Sequence, residues 1–238
     1  DEDQADLMAE VVVPVHDGAA VKILGAVFGL AIAIVAVAAF AAPAQPALDL
    51  ERVALPRIHH SGPVVYQFDP VTLTARCTVE RITVDTLKGN AERKDSFPVD
   101  QNLPEALRRS DACYRSSGFD RGHLPGAANY GRQADRDATF LASLIVPQPP
   151  RVNRGPIKTI ETRCRELVDA DHELVVATLT LTHGRPRYIT PTGPAIPQAI
   201  GKAVLVIERG VPAYAIAWKV PNFEHGPDDP NECLVSVD

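Results

Sequence analysis

The longest apolar run of the chain lies near its beginning. Residues 23–42 (ILGAVFGLAIAIVAVAAFAA) carry no charged or strongly polar side chain, and no charge occurs between Lys22 and Asp49. A helix of this length would be about 30 Å long, which is enough to cross the hydrocarbon core of a bilayer. Because a helix buried in a soluble domain normally keeps a polar face, the run predicts a transmembrane helix at 23–42.

A signal-peptide core or a buried helix is the alternative interpretation of this run. Residues 42–44 (APA) resemble the small-residue end of a secretory signal, but the 22 residues before the run are acidic rather than short and basic. Lys22 before the run, with Asp49 and Glu51 after it, favours an N-terminus inside and a large C-terminal domain across the membrane.

After a Pro/Ala-rich linker, apolar and polar positions form short runs that are typical of strands. The best helical spacing lies at 153–170, where apolar residues recur every three or four positions. A shorter helix is expected at 104–110. The predicted strands are residues 64–68, 73–79, 80–85, 173–182, 203–209 and 212–220.

The order of strands, a helix and further strands predicts an α+β domain. The chain then divides into four parts. These are an acidic segment at 1–22, a transmembrane helix at 23–42, a linker at 43–60 and the α+β domain at 61–238.

Charge is distributed unevenly along the chain. The net charge is −6, yet residues 108–165 carry eleven basic and five acidic side chains, a local charge of +6. The molecule as a whole is therefore not a basic nucleic-acid binder, whereas its middle could contact a polyanion.

The cysteines (Cys77, Cys113, Cys164 and Cys233) lack CxxC pairing, which argues against a zinc site. Disulfides and buried thiols both remain open.

Residues 120–123 (DRGH) bring useful chemical groups together. Arg121 can hold phosphate oxygens in a bidentate manner, and Gly122 would let a phosphate approach the backbone closely. His123 titrates near neutrality and can take a proton from water. A histidine considered in isolation is more often structural than catalytic. Whether His123 is catalytic therefore depends on the residues further along the chain.

Asn153 follows His123 by thirty residues, and Glu161 follows Asn153 by eight. On a regular helix Asn153 and Glu161 share one face two turns apart, with Arg165 one turn further on. An amide oxygen and a carboxylate are hard ligands that suit Mg²⁺, which keeps several waters and binds few protein groups.

These segments resemble the DNA/RNA non-specific endonucleases, the ββα-metal nucleases that include mitochondrial endonuclease G. The resemblance runs from about Arg93 to Asn222 and includes ERKDSFPVDQNLP (92–104), SGFDRGHLPGAAN (117–129) and VPQPPRVNRGPIKTIE (146–161). It implies an α+β, ββα-metal (His-Me finger) nuclease fold with a central antiparallel sheet. It also implies Mg²⁺- or Mn²⁺-dependent cleavage of DNA and RNA that leaves 5′-phosphate ends.

The resemblance also implies roles for individual residues. His123 becomes the general base for the attacking water, and Arg121 contacts the scissile phosphate or stabilises its developing charge. Asn153 becomes the direct protein ligand of a hydrated Mg²⁺, and Glu161 holds water on that metal. The assisting residues are Arg93 and Arg165.

One position departs from the family pattern in a way that bears on activity. Leu144 stands where the family usually has an asparagine that helps to organise the site. Ile157 replaces the family's tryptophan on the metal helix, with Pro156 before it in the first turn, where proline is tolerated.

Two functions therefore remain as hypotheses. The first is a membrane-anchored endonuclease whose partners are the DNA or RNA backbone and, through residues 23–42, the lipid bilayer. The second is a nuclease-fold accessory subunit of a membrane protein complex, with weak or lost activity. A homodimer is compatible with the first. The expected location is the mitochondrial inner membrane with the domain in the intermembrane space, or alternatively a bacterial inner membrane with a periplasmic domain.

Overall fold

The computed structural model describes residues 13–14 and 58–236. The predicted transmembrane helix at 23–42 lies outside these residues, as do most of the acidic segment and most of the linker. None of the helices in the described part is long and apolar enough to cross a membrane.

An antiparallel sheet forms the centre of the domain, as the resemblance implies. The strands of the described chain are β1 (Val13–Pro14), β2 (Ile58–Ser61), β3 (Val64–Asp69), β4 (Thr74–Ile82), β5 (Asp120–His123), β6 (Ile145–Gln148), β7 (His172–Leu181), β8 (Arg187–Tyr188), β9 (Ala195–Ile196), β10 (Ala199–Glu208), β11 (Val211–Pro221) and β12 (Leu234–Val235). The strand order of the central sheet is β1-β11-β10-β7-β4-β3-β2, and β12 pairs with β11. Strands β5 and β6 form a separate pair, and so do β8 and β9.

The helices are short and lie between these strands. The α-helices are α1 (Val84–Leu87), α2 (Gln133–Asp137), α3 (Pro150–Val152) and α4 (Lys158–Glu166), and a π-helical turn at Asn153–Ile157 joins α3 to α4. Single 3₁₀ turns lie at Glu105–Leu107, Asp111–Tyr114, Ala127–Asn129, Ala138–Phe140, Ala142–Leu144 and Pro230–Cys233. The α+β class is thereby confirmed.

Several predicted boundaries change for local reasons. The strands expected at 73–79 and 80–85 are one continuous strand, β4, and it ends where Thr83 caps helix α1 in a reciprocal capping box with Thr86. The helix expected at 104–110 is a single 3₁₀ turn. Residues 58–60, assigned to the linker, belong to β2 and pair with β3.

Strand β1 affects the predicted membrane orientation. Val13 pairs with Ala215 and Pro14 with Tyr214 on the edge strand β11. Residues 13–14 precede the apolar run and β11 follows it, so a single crossing at 23–42 would place the two strands on opposite sides of a membrane. The predicted orientation, with the N-terminus inside and the domain across the membrane, is therefore incompatible with this pairing.

The larger of two hydrophobic cores in the described residues lies between the sheet and the ββα segment, and the smaller one contains Phe97, Tyr114, Phe140 and Ile145. Leu144 is completely buried in the larger core, together with Leu124, Ile160 and Val204. The backbone of Leu144 also accepts a hydrogen bond from the Leu124 amide over 2.9 Å, so this position ties the end of β5 to the start of β6. In this chain the departure from asparagine serves core packing.

The four cysteines are all free. Cys77, Cys164 and Cys233 are buried, and burial raises the pKa of Cys77 and of Cys164 to about 11. Cys113 is half-buried. The open question of the thiols is thus answered in favour of unpaired cysteines.

Candidate active site

The DRGH segment forms strand β5, which pairs antiparallel with β6 in the register Asp120–Gln148 to His123–Ile145. Strand β6 is buried along its whole length. The chain then turns directly into α3, the π-helical turn and α4. Two paired strands followed by a helix are the ββα arrangement that the resemblance implies.

Gly122 is required by its neighbour across the strand pair. A Cβ atom at this position would lie 2.3 Å from Cδ of Gln148, far inside contact distance. Gln148 is completely buried, and neither amide atom of its side chain has a hydrogen-bond partner in the described residues. Gly122 therefore leaves the room that the side chain of Gln148 fills, and the approach of a phosphate stays a prediction.

His123 lies between two phenylalanine rings. Its ring centroid is 5.2 Å from that of Phe97 and 4.5 Å from that of Phe140, the latter in an edge-to-face geometry. Such contacts fix the ring orientation and contribute about 0.5–1.5 kcal/mol each. The Nε2 atom is buried and has no hydrogen-bond partner among residues 58–236.

The surroundings of His123 keep the imidazole neutral. Burial is the main cause that lowers its pKa to about 3, and the positive charges of Arg93, Arg121 and Arg136 add to the effect. An unprotonated nitrogen without a partner can accept a proton. The histidine is thus in the protonation state that a general base needs.

Two aspartates hold the guanidinium of Arg121. Nη1 lies 2.9 Å from Oδ2 of Asp111, and Nη2 lies 2.8 Å from Oδ1 of Asp95. The same guanidinium lies 4.7 Å from the ring centroid of Phe97, close enough for a cation–π contact. Arg121 is therefore fixed beside His123 while part of its side chain stays accessible.

The segment that starts at Arg93 supports this arrangement from the other side. Arg93 lies 5.9 Å from the ring centroid of Phe140, and Phe97 packs against His123. Buried Asp100 accepts hydrogen bonds from the hydroxyls of Tyr66 and Ser143 and so anchors the segment to the fold. The spacing Arg-x-x-x-Phe-x-x-Asp is explained by these three contacts.

Asp120 orients the side chain of Asn153. The Asn153 Nδ2 donates to Oδ2 of Asp120 over 2.9 Å, and Arg154 donates to both oxygens of the same carboxylate over 2.8 and 2.7 Å. Partial burial of Asp120 opposes ionisation, but the hydrogen bonds from Arg154 and Asn153 outweigh it and lower its pKa. With Nδ2 engaged, Oδ1 of Asn153 is the atom left for a ligand.

The prediction of one regular helix over 153–170 is wrong in its first turn and at its end. Residues 153–157 form a π-helical turn in which Gly155 has φ −100° and ψ −110°, outside the helical region. Helix α4 starts only at Lys158 and ends at Glu166. The regular 3.6-residue geometry that placed Asn153 and Glu161 two turns apart does not hold across this turn.

Glu161 and Arg165 lie on α4 and make different contacts. Glu161 Oε1 lies 3.3 Å from Nζ of Lys202 on the central sheet. Arg165 donates to Thr162 Oγ1 over 2.9 Å and to Asn129 Oδ1 over 3.5 Å. No direct hydrogen bond or ion pair joins Glu161 to Arg165 in the described structure.

The structure thus sorts the predicted residues into two groups. His123, Arg121 and Arg93 lie together around the two phenylalanines, and Asn153 joins this strand pair through Asp120. Glu161 and Arg165 belong to α4. No group of three or more His, Cys, Asp or Glu side chains that could hold a metal occurs in the described part of the chain.

Sequence reasoning missed three residues with roles in this arrangement. Asp120 lies inside the DRGH segment, but nothing in the sequence around it indicates its contact with Asn153. Nothing in the sequence except the neighbouring prolines indicated that Gln148 is buried against Gly122. Lys202 was visible as the one charged residue in the apolar stretch 199–207, which is the mark of a buried and paired lysine.

Comparison with known proteins identifies the family of this ββα unit. Residues 58–238 match the sequence model of the DNA/RNA non-specific endonucleases. The chain belongs to the DNA/RNA non-specific endonuclease family. The resemblance inferred from the DRGH segment and the residues around it is therefore confirmed.

Curated relatives in this family come from bacteria and animals. A protein named nuclease from Nostoc is 36% identical over 161 residues, which are 63% of this chain and 58% of that protein. Mitochondrial endonuclease G from Homo sapiens is 35% identical over 113 residues, 47% of this chain and 38% of the relative. Mitochondrial nuclease EXOG from Mus musculus is 32% identical over 170 residues, 65% and 46% respectively. The chain thus spans roughly half the length of these relatives.

A solved structure has the same fold. It is the crystal structure of an EndoG/EndoGI complex, with a TM-score of 0.67 and 21% identity. The match covers 81% of this chain and 87% of the other. The central antiparallel sheet is thus shared with this solved endonuclease.

The orientation of Asn153 can be tested by two substitutions at one ion pair. Asp120→Ala and Arg154→Ala both remove the contact between Asp120 and Arg154, but only Asp120→Ala frees the Asn153 amide. We expect Asp120→Ala to weaken Mn²⁺ binding by about 10–100-fold, as for other residues that orient metal ligands. Arg154→Ala should change it by less than about threefold on the same reasoning. Titration followed by electron paramagnetic resonance measures both, and equal effects would contradict the assigned role.

The buried imidazole predicts a pH dependence of stability. The pKa of His123 is about 3 in the folded chain against an ordinary value of 6.5, so the unfolded chain binds the proton first as the pH falls. Stability from this residue is complete above pH 6.5 and declines below it by up to about 1.4 kcal/mol per pH unit. Urea unfolding at pH 7 and 4.5 should show a larger loss for the wild type than for His123→Gln. The exposed His225→Gln should follow the wild type, and parallel losses in all three would refute the assignment.

Proposed function

We propose that this chain is an endonuclease that hydrolyses DNA and RNA phosphodiester bonds without sequence preference, in the presence of Mg²⁺ or Mn²⁺. The observation that carries the proposal is the neutral imidazole of His123, held between Phe97 and Phe140 beside the guanidinium of Arg121. Membership of the DNA/RNA non-specific endonuclease family supports it.

His123 acts as the general base in this proposal. Its unprotonated ring nitrogen takes a proton from the attacking water, and the rings of Phe97 and Phe140 hold the imidazole in place. A pKa of about 3 is low for an efficient base at neutral pH. A substrate phosphate would offset the positive charges of Arg93 and Arg121 and so raise the pKa of His123. The base thus becomes stronger when substrate is bound.

The arginines around His123 bind the substrate backbone. Arg121 is held by Asp95 and Asp111, so its guanidinium is oriented before a phosphate arrives and little side-chain entropy is lost on binding. Arg93 is exposed on the other side of the histidine. Contacts to phosphate groups carry no sequence information, which fits cleavage at any sequence.

Asn153 and Glu161 are the residues that would hold the metal. Oδ1 of Asn153 is left available by the hydrogen bond from Nδ2 to Asp120, and an amide oxygen with a carboxylate is a donor set that fits Mg²⁺ or Mn²⁺. When bound, such an ion supplies Lewis-acid stabilisation of the charge on the leaving 3′ oxygen, which corresponds to 5′-phosphate ends. Arg165 keeps α4 attached to Asn129 beside it.

The central test is plasmid nicking by the full 238-residue chain with Mg²⁺ and with EDTA. We expect cleavage that needs the metal and falls by about 10²–10⁴-fold in His123→Ala, because a positioned base contributes that much. His225→Ala, at an exposed histidine, is the matched control and should keep wild-type activity. If the wild type and His123→Ala are equally inert while folded, the chain is not a nuclease. The accessory-subunit hypothesis would then take its place.

We also propose that residues 23–42 attach the chain to the mitochondrial inner membrane without a single complete crossing, so that β1 and β11 lie together on the intermembrane-space side. The uncharged apolar run and the mitochondrial names of several relatives support this. The Nostoc relative makes a bacterial inner membrane the competing location.

Membrane attachment can be tested by carbonate extraction of cells that express the chain. We expect the wild type to remain in the membrane pellet, because burying twenty apolar residues outweighs the cost of insertion. Replacing Ile32 and Val35 by arginine should move the chain to the supernatant. Replacing Val12 and Val15, which lie outside the run, serves as the control. Wild-type chain in the supernatant would contradict the anchor.

A further inference from the structure

Lys202 is a buried lysine in the middle of strand β10. Its side chain is only 1% exposed. The ammonium lies 3.0 Å from Thr178 Oγ1 on the neighbouring strand, 3.4 Å from the carbonyl oxygen of Leu124 and 3.3 Å from Glu161 Oε1. A buried ammonium is costly unless it is paired and hydrogen-bonded, and these contacts satisfy its three donors.

The three contacts come from three different parts of the fold. Thr178 belongs to the central sheet, and Leu124 directly follows His123 at the end of β5. Glu161 belongs to α4. One ammonium on the sheet therefore fixes both the residue next to the general base and the helix that carries the carboxylate of the proposed metal site.

A buried carboxylate, that of Glu80, lies nearby but makes no ion pair with Lys202 in the described structure. Glu80 accepts hydrogen bonds from the Gly126 amide over 2.9 Å, from Tyr130 over 3.0 Å and from Asn129 over 3.1 Å. Lys202 acts on Glu80 only through its charge, without a contact ion pair among the described residues. The direct carboxylate partner of Lys202 is thus Glu161.

Glu161 depends on this contact for its orientation. Its side chain is 20% exposed, and within residues 58–236 the ion pair with Lys202 is its sole polar contact. Oε1 faces the lysine, and Oε2 is left for a ligand. Without the lysine, the three rotatable bonds of the glutamate would be free to place the carboxylate elsewhere.

We propose that Lys202 is the positioning residue of the active site, which holds the Glu161 carboxylate at a fixed place relative to His123; the proposal rests on the proposed function of Glu161. Lys202 touches neither substrate nor metal. It acts through Glu161 and through the backbone after His123.

The test is a double-mutant cycle between Lys202 and Glu161 in the full chain. Lys202→Met and Lys202→Arg are each made alone and together with Glu161→Gln. Lys202→Met removes the charge and keeps the apolar stem. Lys202→Arg keeps a buried cation for the fold but cannot place a planar guanidinium where the ammonium was. Lys219→Met, at the exposed lysine of β11, is the matched control in both backgrounds.

Three quantities are measured for each variant: the affinity for Mn²⁺, the values of kcat and KM, and the free energy of unfolding. With Glu161 present, we expect either Lys202 variant to weaken Mn²⁺ binding and to lower kcat by about tenfold or more, with KM within about twofold. With Glu161→Gln present, the same substitutions should have little further effect on the affinity for Mn²⁺ or on kcat. Lys219→Met should have no effect in either background.

Additive losses would overturn the proposal, because Lys202 would then act independently of Glu161. If Lys202→Met does not fold, Lys202→Arg alone tests the proposal. If neither variant folds, the proposal is also overturned. A wild type that binds Mn²⁺ without cleaving DNA refutes the proposed function, while the Mn²⁺ cycle still decides the role of Lys202. A wild type that neither cleaves nor binds Mn²⁺ overturns both.

Discussion

The pairing of β5 with β6 is the constraint on which the rest of the site depends. Its register places His123 against Phe97 and Phe140, and it places Asp120 where the Asn153 amide can reach it. A shift by one residue would turn every side chain of β5 to the opposite face. Such a shift would place a side chain of β5 where Gly122 now leaves room for the buried side chain of Gln148, and the register is therefore strongly specified.

Around this strand pair, the polar groups of the site are held in place by charged partners. Arg121 is fixed by two aspartates, Asn153 by Asp120, and Glu161 by Lys202. In the proposed enzyme the groups that must meet a phosphate and a metal would be oriented before either arrives. Such preorganisation is the main source of electrostatic catalysis in enzymes generally.

The α+β class could be predicted from the sequence, and so could the set of candidate site residues, because DRGH is contiguous and the downstream spacing is distinctive; the roles of these residues stay predictions. It did not allow the turn at Gly155 to be predicted, because helical periodicity continues through residues whose backbone leaves the helix. The role of Lys202 depends on contacts across about forty to eighty residues of chain, with Glu161 and Leu124. Contacts of that kind follow from strand order, which local patterns do not contain.

The unpaired thiols have a consequence for where this domain can fold. Its stability comes from two apolar cores and from ion pairs, and no thiols in residues 58–236 have to be oxidised to a disulfide for the fold to form. The two cysteines with raised pKa, Cys77 and Cys164, are present almost entirely as thiols at neutral pH and react slowly with oxidants. The domain should therefore reach the same folded state in a reducing and in an oxidising compartment, which suits a protein that folds before or after transfer across a membrane.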